Sequence, residues 1–437
     1  MSSVCQVGLY PLKLLLSSIA CDPFGGSEGI YGWYVVSALS KEHDCFVITG
    51  GDSMPSLQRA QEQGMIPPTL KFRFLGYPKP YHPNRLFARF QSWLRFIIFT
   101  KNLLSSAQTW HSQENFDLTQ HITYTTWRVA SPLWKLGIPF IWGPISGTEV
   151  FPKSCYSSLS LQALLFEVLR STQTWVASRS LSVRRCVRAA SFIPVPHMQA
   201  HSFLSELRGT PQGVLLCHNW FFPDSRIADL QSKWLVKEPH RPLRAFAAGN
   251  LEGRKGVAIA LQAIFLAKKA GVRVEYHVTS RGPELAHLQR LSEKLGLSDQ
   301  VILGERFTAT DFASALSTFD IVLLPSLRDG AGLSIMEAML AGCVPIVADW
   351  CGPAEFVTPD CGYKVAVTNP TNMAIEIARI LNELDKDRDL LKTKGKLAED
   401  RIRSNYNEKQ FLDFMTDIYK SSRKPEIFLD MQHVAHN

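Results

Sequence analysis

A chain of 437 residues with 46% hydrophobic content is long enough for two domains, each burying its own core. The net charge of +8 points to anionic partners: nucleotide diphosphates, anionic lipid or nucleic acid. Nine cysteines without one C-x-x-C pair argue against a disulfide framework and for reduced thiols in the cytoplasm, and no apolar run approaches the ~18–20 residues of a membrane span.

Leu12–Ile19 is short, apolar and carries Lys13, so it reads as a first strand rather than a signal peptide. CDPFGGSEGIYGW (21–33) follows as a loop with Gly25-Gly26 and a helix from about Glu28 to Leu39. A strand, a glycine loop and a helix start form a geometry that suits a phosphate. Strands are predicted next at 45–49 and 71–75. RLFARFQSWLRFIIFTK (85–101) carries Arg85, Arg89, Arg95 and Lys101, with Trp93 and Phe90 among apolar residues at near-helical spacing. No acid occurs from Gln63 to Gln113. Such a helix can lie in an anionic bilayer interface, or pack in a core with its basic stems reaching water. Strands at 121–125 and 139–142 lead into a loop at Gly143-Pro144 and Gly147, which shapes a cleft floor or turns the chain. His121 and Arg128 are candidates to touch a substrate there, although a lone histidine on an apolar strand is more often a satisfied core residue. Another strand is expected at 191–194. His197 and His201 have zinc-ligand spacing, but Met198 stands where the motif needs Glu.

Lys237–Pro242 is a breaker cluster, which places a domain join between about 222 and 242. Strands then fall at 243–248, 274–279, 300–303, 320–325 and 344–347, with helices near 257–269, 285–295, 311–318, 332–341 and 371–384. This alternation predicts parallel sheets with helices on both faces. Ligands of such sheets bind beyond the carboxyl ends of the strands, where the loops after Ala248, Thr279 and Pro325 lie. The first loop holds Asn250, Arg254 and Lys255; the second, Arg281; the third, Asp329, Gly330 and Gly332. A helix starting near Gly332-Leu333 points free N–H groups at that third loop. Glu337 sits inside this helix among Ile335, Met336, Ala338 and Met339, where a carboxylate needs a partner. Vicinal hydroxyls of a ribose would supply one; a nearby Lys or Arg is the plainer alternative. Asp385, Asp387 and Asp389 lack the Gly and distal Glu of a calcium loop and read as a solvated charge run. No metal site is predicted. A last helix is expected at 406–421, with a loose tail beyond Lys424.

Segment 325–349, PSLRDGAGLSIMEAMLAGCVPIVAD, resembles the signature of the group 1 (family 4) retaining glycosyltransferases of the GT-B fold, in which an acid, seven residues and a glutamate precede a buried strand. AFAAGNLEGRKGVAIALQAI (245–264) resembles that family's G-R-L-x-x-x-K-G segment. The resemblance implies an α/β protein of two doubly wound Rossmann-like domains facing a cleft. Residues 1–224 would form the acceptor side with the return helix 406–421, and 225–405 the nucleotide-sugar side. It implies that Glu337 binds the ribose. The backbone of Gly332 and Leu333 would meet the diphosphate with Lys255, Gly330 would let the loop approach the ligand closely, and Asp329 would lie near the transferred sugar. Asp329 replaces the usual glutamate, and Asn250 stands where the family has Arg, with Arg254 positioned to supply the missing charge. Gly25, Gly26 and His121 would face the cleft, and Arg281 would flank the base. The implied activity is transfer of a sugar, with retention and without a metal or other cofactor, from a nucleotide-sugar to a glycan or lipid-linked acceptor in polysaccharide or glycolipid synthesis. The enzyme would be cytoplasmic, peripheral on an anionic membrane surface through 85–101. An epimerase on the same plan and a non-catalytic membrane-associated module are the alternatives. A nucleic-acid partner lacks any recognised motif.

Overall fold

The computed structural model describes residues 11–76, 85–217, 220–230, 241–279, 281–305, 307 and 309–423, with the backbone alone for 27, 85–93 and 309–311. Part of the 222–242 join, Arg306 and the tail from 424 lie outside the described residues. β1 (Lys13–Ser18), β2 (Asp44–Gly50), β3 (Leu70–Leu75), β4 (Leu118–Thr123) and β5 (Phe140–Trp142) form a first sheet in the order β3-β2-β1-β4-β5. β6 (Ile193–Val195) and β7 (Val214–Leu216) pair with each other, and a bridge from Ile141 to Phe192 ties them to β5. The second sheet holds β8 (Leu243–Ala247), β9 (Val274–Val278), β10 (Val301–Leu303), β11 (Ile321–Leu324), β12 (Val344–Ala348) and β13 (Tyr363–Val365), in the order β10-β9-β8-β11-β12-β13. All these pairings are parallel.

Parallel strands covered on both faces read as continuous buried runs. β12, VPIVA, is buried throughout, as is β1 after Lys13. β4 is buried although it reads LTQHIT. Its polar groups are satisfied inside: Thr119 donates to the Leu15 carbonyl, and Gln120 donates to the Gly143 carbonyl at 2.9 Å. Gln120 also accepts from the Tyr419 hydroxyl at 2.6 Å. Tyr419 belongs to the last helix, Glu408–Arg423, which returns to the first sheet and packs Phe411, Met415 and Ile418 into its core. Phe411 stacks on Phe221 with ring centroids 4.3 Å apart.

Each sheet reverses its winding once, between β1 and β4 and between β8 and β11. Crevices open there, beyond the carboxyl ends of the strands. The two sheets carry separate cores, but the exchange at the boundary is not clean. Phe151 and Cys155, within the stretch expected on the acceptor side, pack in the second core beside Met373. In the helix Arg85–Glu114, Phe96, Phe99, Leu103 and Trp110 are buried in the first core and Arg95 pairs with Asp52. The described end of 85–101 therefore packs inward, while the side chains of 85–93 lie outside the described residues.

Gly256 shows how tightly the second sheet seats its loops. It has φ +69°, and a Cβ there would fall 2.1 Å from the Pro325 carbonyl oxygen. Backbone cannot yield as a side chain can. Gly256→Ala is expected to lose more than about 2 kcal/mol of stability, from left-handed strain plus the clash. Urea unfolding of the variant checks this, and a midpoint equal to that of the parent would contradict it.

Candidate active site

Two loops at the β8/β11 crevice carry most of the predicted residues. The loop after β8 makes a short helical turn at Gly253–Lys255 and enters the helix Val257–Lys269. The loop after β11 runs to the helix Leu333–Leu340, capped by Gly332. One backbone bond and one from a side chain stitch the loops together: Leu327 N–H donates to the Arg254 carbonyl at 2.8 Å, and Arg254 Nη1 donates to the Arg328 carbonyl at 2.8 Å. Lys255, only 7% exposed, is thereby aimed at Asp329, with Nζ to Oδ2 at 2.5 Å. Arg254 Nη1 lies 3.8 Å from the other Asp329 oxygen.

The electrostatics follow from this packing. Burial pushes the Lys255 ammonium down, and Asp329 only partly offsets it. Burial alone would raise the Asp329 carboxyl, but Lys255 and Arg254 outweigh it and hold it low. Arg254 is held above its ordinary value because Asp329 and Glu252 outweigh the burial that lowers it. Asn250, in the position of the family's arginine, donates Nδ2 to Glu252 Oε1 at 3.0 Å. Arg254 holds the other Glu252 oxygen at 2.6 Å. Asn250 and Arg254 thus share one acid.

Glu337 lies one turn into the helix that starts beside Asp329. Burial raises its carboxyl, and Arg226 works against that rise. Arg226, on the helix Asp224–Asp229, reaches Glu337 Oε1 with Nη2 at 2.8 Å. The ion-pair partner weighed from the sequence is therefore present, and any ribose must share this carboxylate with Arg226. Gly330 approaches the first half of the chain: a Cβ there would sit 3.1 Å from Glu149 Oε1. Leu333 opens the helix directly after Gly332.

The other candidates lie on further segments. Gly26 caps the helix Ser27–Leu39, and Gly25 closes on Asp22, whose carboxylate a Cβ would meet at 2.8 Å. His121 is buried in β4, with Nε2 on the Tyr124 carbonyl at 3.3 Å, and burial pushes it down to about 4. The imidazole is neutral and enclosed at neutral pH, as in the core alternative, and no contact joins it to Lys255 or Asp329 among the described residues. Arg281 is exposed and its carbonyl accepts from Leu251 N–H at 3.3 Å. Its neighbour Glu284 is buried and accepts from Ser160 Oγ at 2.6 Å.

Sequence reasoning missed a second charged group facing the same loop. Glu149 accepts Gly147 N–H at 2.9 Å and His197 Nε2 at 3.2 Å, with Arg170 at 3.5 Å. His197 Nδ1 accepts Ala200 N–H, so its proton sits on Nε2 and is donated to Glu149. Arg328 and Glu167 form a buried pair at 2.7 Å nearby. The available signal was an acid directly after the glycine loop at the end of β5. The histidine spacing, read against zinc, marked a helix cap instead.

Residues 231–397 match the family model described as glycosyl transferases group 1. WcaL of Escherichia coli K12, a glycosyltransferase whose name places it provisionally in colanic acid biosynthesis, is 29% identical over 181 residues, 40% of this chain and 44% of that protein. The amylovoran biosynthesis glycosyltransferase AmsK of Erwinia amylovora is 28% identical over 153 residues, 34% of this chain and 37% of its own. The matched region thus spans less than half the length of these curated relatives. Among solved structures, Anabaena HepE in complex with UDP and glucose superposes with a TM-score of 0.60 at 16% identity, over 94% of this chain and 100% of that one. A glycosyltransferase from Rickettsia africae gives 0.62 at 13% identity, over 95% and 100%. These likenesses establish the architecture. In residues 231–397 the chain carries the group 1 glycosyl transferase domain, on a GT-B fold.

Proposed function

We propose that this protein is a retaining, metal-independent glycosyltransferase that moves a sugar from a nucleotide-sugar to a glycan or lipid-linked acceptor in polysaccharide synthesis on the cytoplasmic side. The observation that carries this reading is the meeting of Lys255, Arg254 and Asp329 at the head of the helix that holds Glu337. A leaving diphosphate develops negative charge, and preorganised cations beside free helix N–H groups stabilise it. Lys255 and Arg254 are held in place by Asp329 and Glu252 before any donor arrives. Glu337 would take the ribose hydroxyls on the carboxylate that Arg226 steadies. The acceptor hydroxyl would attack the oxocarbenium-like sugar from the face the diphosphate leaves. Closure of the two halves would exclude the water that hydrolyses the donor. The names of WcaL and AmsK support a polysaccharide product, and the UDP and glucose of HepE support a nucleotide-sugar donor.

A thermal-shift screen of UDP-, GDP-, ADP- and dTDP-sugars tests the donor. Ligand at a hundred times its dissociation constant stabilises by about 2.7 kcal/mol. One base class is expected to raise the unfolding temperature, and Glu337→Ala to lose most of that rise. Equal shifts in both proteins would remove the ribose role; no shift with any donor would remove the donor itself.

A further inference from the structure

The helix Leu161–Ser178 is built inside out. Leu161, Leu165, Val168, Leu169, Trp175 and Val176 recur at the spacing of one helix face and are 50–75% exposed. The opposite face is polar and turned inward onto the site. Glu167 pairs with Arg328, Arg170 donates to the Gly147 carbonyl at 2.8 Å, and Thr174 Oγ1 accepts from Arg128 at 2.7 Å. Ala163 closes on the loop that carries Lys255, where a Cβ on Gly253 would meet its methyl at 2.8 Å. The charged groups of this segment are thus used inside, and a continuous apolar stripe faces solvent. Leu181, at the start of the next helix, extends it at 70% exposure. Soluble surfaces rarely carry such a stripe without something to cover it.

The surrounding charge indicates the cover. From Val150 to Ala190 there are six cations and one acid, Glu167, which is buried. Lys153, Arg179, Arg185 and Arg188 are exposed around the stripe. Arg179 stacks on Trp175 at 3.9 Å from the ring centroid, an amphipathic pair suited to headgroup depth. An apolar stripe with Trp, rimmed by cations, matches an anionic bilayer surface. No helix of the described residues is long and apolar enough to cross a membrane, so the contact is one of lying on the surface. We propose that the helix Leu161–Ser178 docks this protein on an anionic lipid bilayer, with its apolar stripe at the acyl boundary and Arg179, Arg185 and Arg188 on the headgroups. Its inner face touches Gly147, Gly253 and Arg328, so docking sets the Lys255 loop about one helix diameter, ~10 Å, from the lipid. The docking stands on exposure and charge alone and does not depend on the transfer reaction.

The full chain is sedimented with vesicles of phosphatidylcholine and with vesicles that also contain phosphatidylglycerol. Binding is expected to the anionic vesicles and to weaken with salt. The double variant Leu165→Glu/Leu169→Glu should bind about tenfold more weakly or less, with unchanged circular dichroism and unfolding temperature. Arg185→Glu/Arg188→Glu should lose the salt-sensitive part. The blue shift of tryptophan fluorescence on binding should shrink in Trp175→Phe. Vesicle binding that survives Leu165→Glu/Leu169→Glu, or a parent that sediments with neither vesicle, overturns the proposal. A parent that is dimeric by ultracentrifugation, and made monomeric by that variant without any vesicle binding, would assign the stripe to a second copy instead.

Discussion

Lys255→Met is expected to lower kcat/KM for transfer by about 100- to 1000-fold, the loss typical of one preorganised charge-stabilising donor. Methionine keeps most of the buried stem and removes the ammonium that reaches Asp329. The negative charge on the leaving diphosphate is greatest in the transition state, so the loss belongs mainly in kcat, with donor affinity falling much less. Arg254 remains 3.8 Å from Asp329, so the acid is not left without a cation. Lys255→Arg should not restore the rate, because at this buried position a planar fork presents its donors in a different geometry from a compact ammonium. Steady-state rates with the donor found by thermal shift check this, at a temperature where the variant is folded. A Lys255→Met enzyme whose kcat stays within about threefold of the parent would remove lysine from charge stabilisation. Asn250 offers the opposite test: Asn250→Arg adds a cation beside Glu252, and a rise in turnover would mark the present clamp as weakened.

The second sheet was legible because its periods are strong. The helix Val257–Lys269 lies where the pattern places it, and β8, β9, β11 and β12 fall within one residue of their predicted ends. Their apolar runs are buried on both faces, so hydrophobicity alone marks them. The first half was harder. β4 starts three residues earlier than its predicted range because the polar Thr119 and Gln120 of Leu118–Gln120 are satisfied by internal hydrogen bonds that no local pattern announces. β7 in the first half, and β13 and the helix Arg388–Asn405 in the second, are short or strongly polar and carry no such signal. Lys255, Arg254 and Asp329 converge as their places in two strand-end loops implied, since such loops share one crevice. Arg226 could not be foreseen on Glu337: the two are 111 positions apart, and only the packing of a short helix brings them together. The same holds for Glu149, His197 and Arg170, three segments that meet only in the fold.

Glu149→Gln is expected to cost about 3 kcal/mol at neutral pH, because the folded protein holds this carboxylate far more firmly than the unfolded chain does. Burial by itself would raise the Glu149 carboxyl, but the hydrogen bond from His197, then Arg170 and the Gly147 N–H, outweigh it and bring it down to about 2. The sign follows from that lowering. Its stabilising contribution is complete above the unfolded value, about 4.5, and is lost as pH falls from there toward 2. Glutamine keeps the shape and one acceptor but cannot lose a charge, so the variant should show a flatter acid limb. Urea unfolding of both proteins between neutral pH and pH 3 checks this through their difference, which should shrink steadily on the acid side. Parallel curves would mean that Glu149 is not the charged anchor. Activity should fall with stability. The Gly147 N–H and Arg170 both rest on this acid, and the loop they fix meets Gly330, one residue from the aspartate that holds Lys255. An acid that reads as an ordinary loop residue thereby joins the first sheet to the charge cluster of the second.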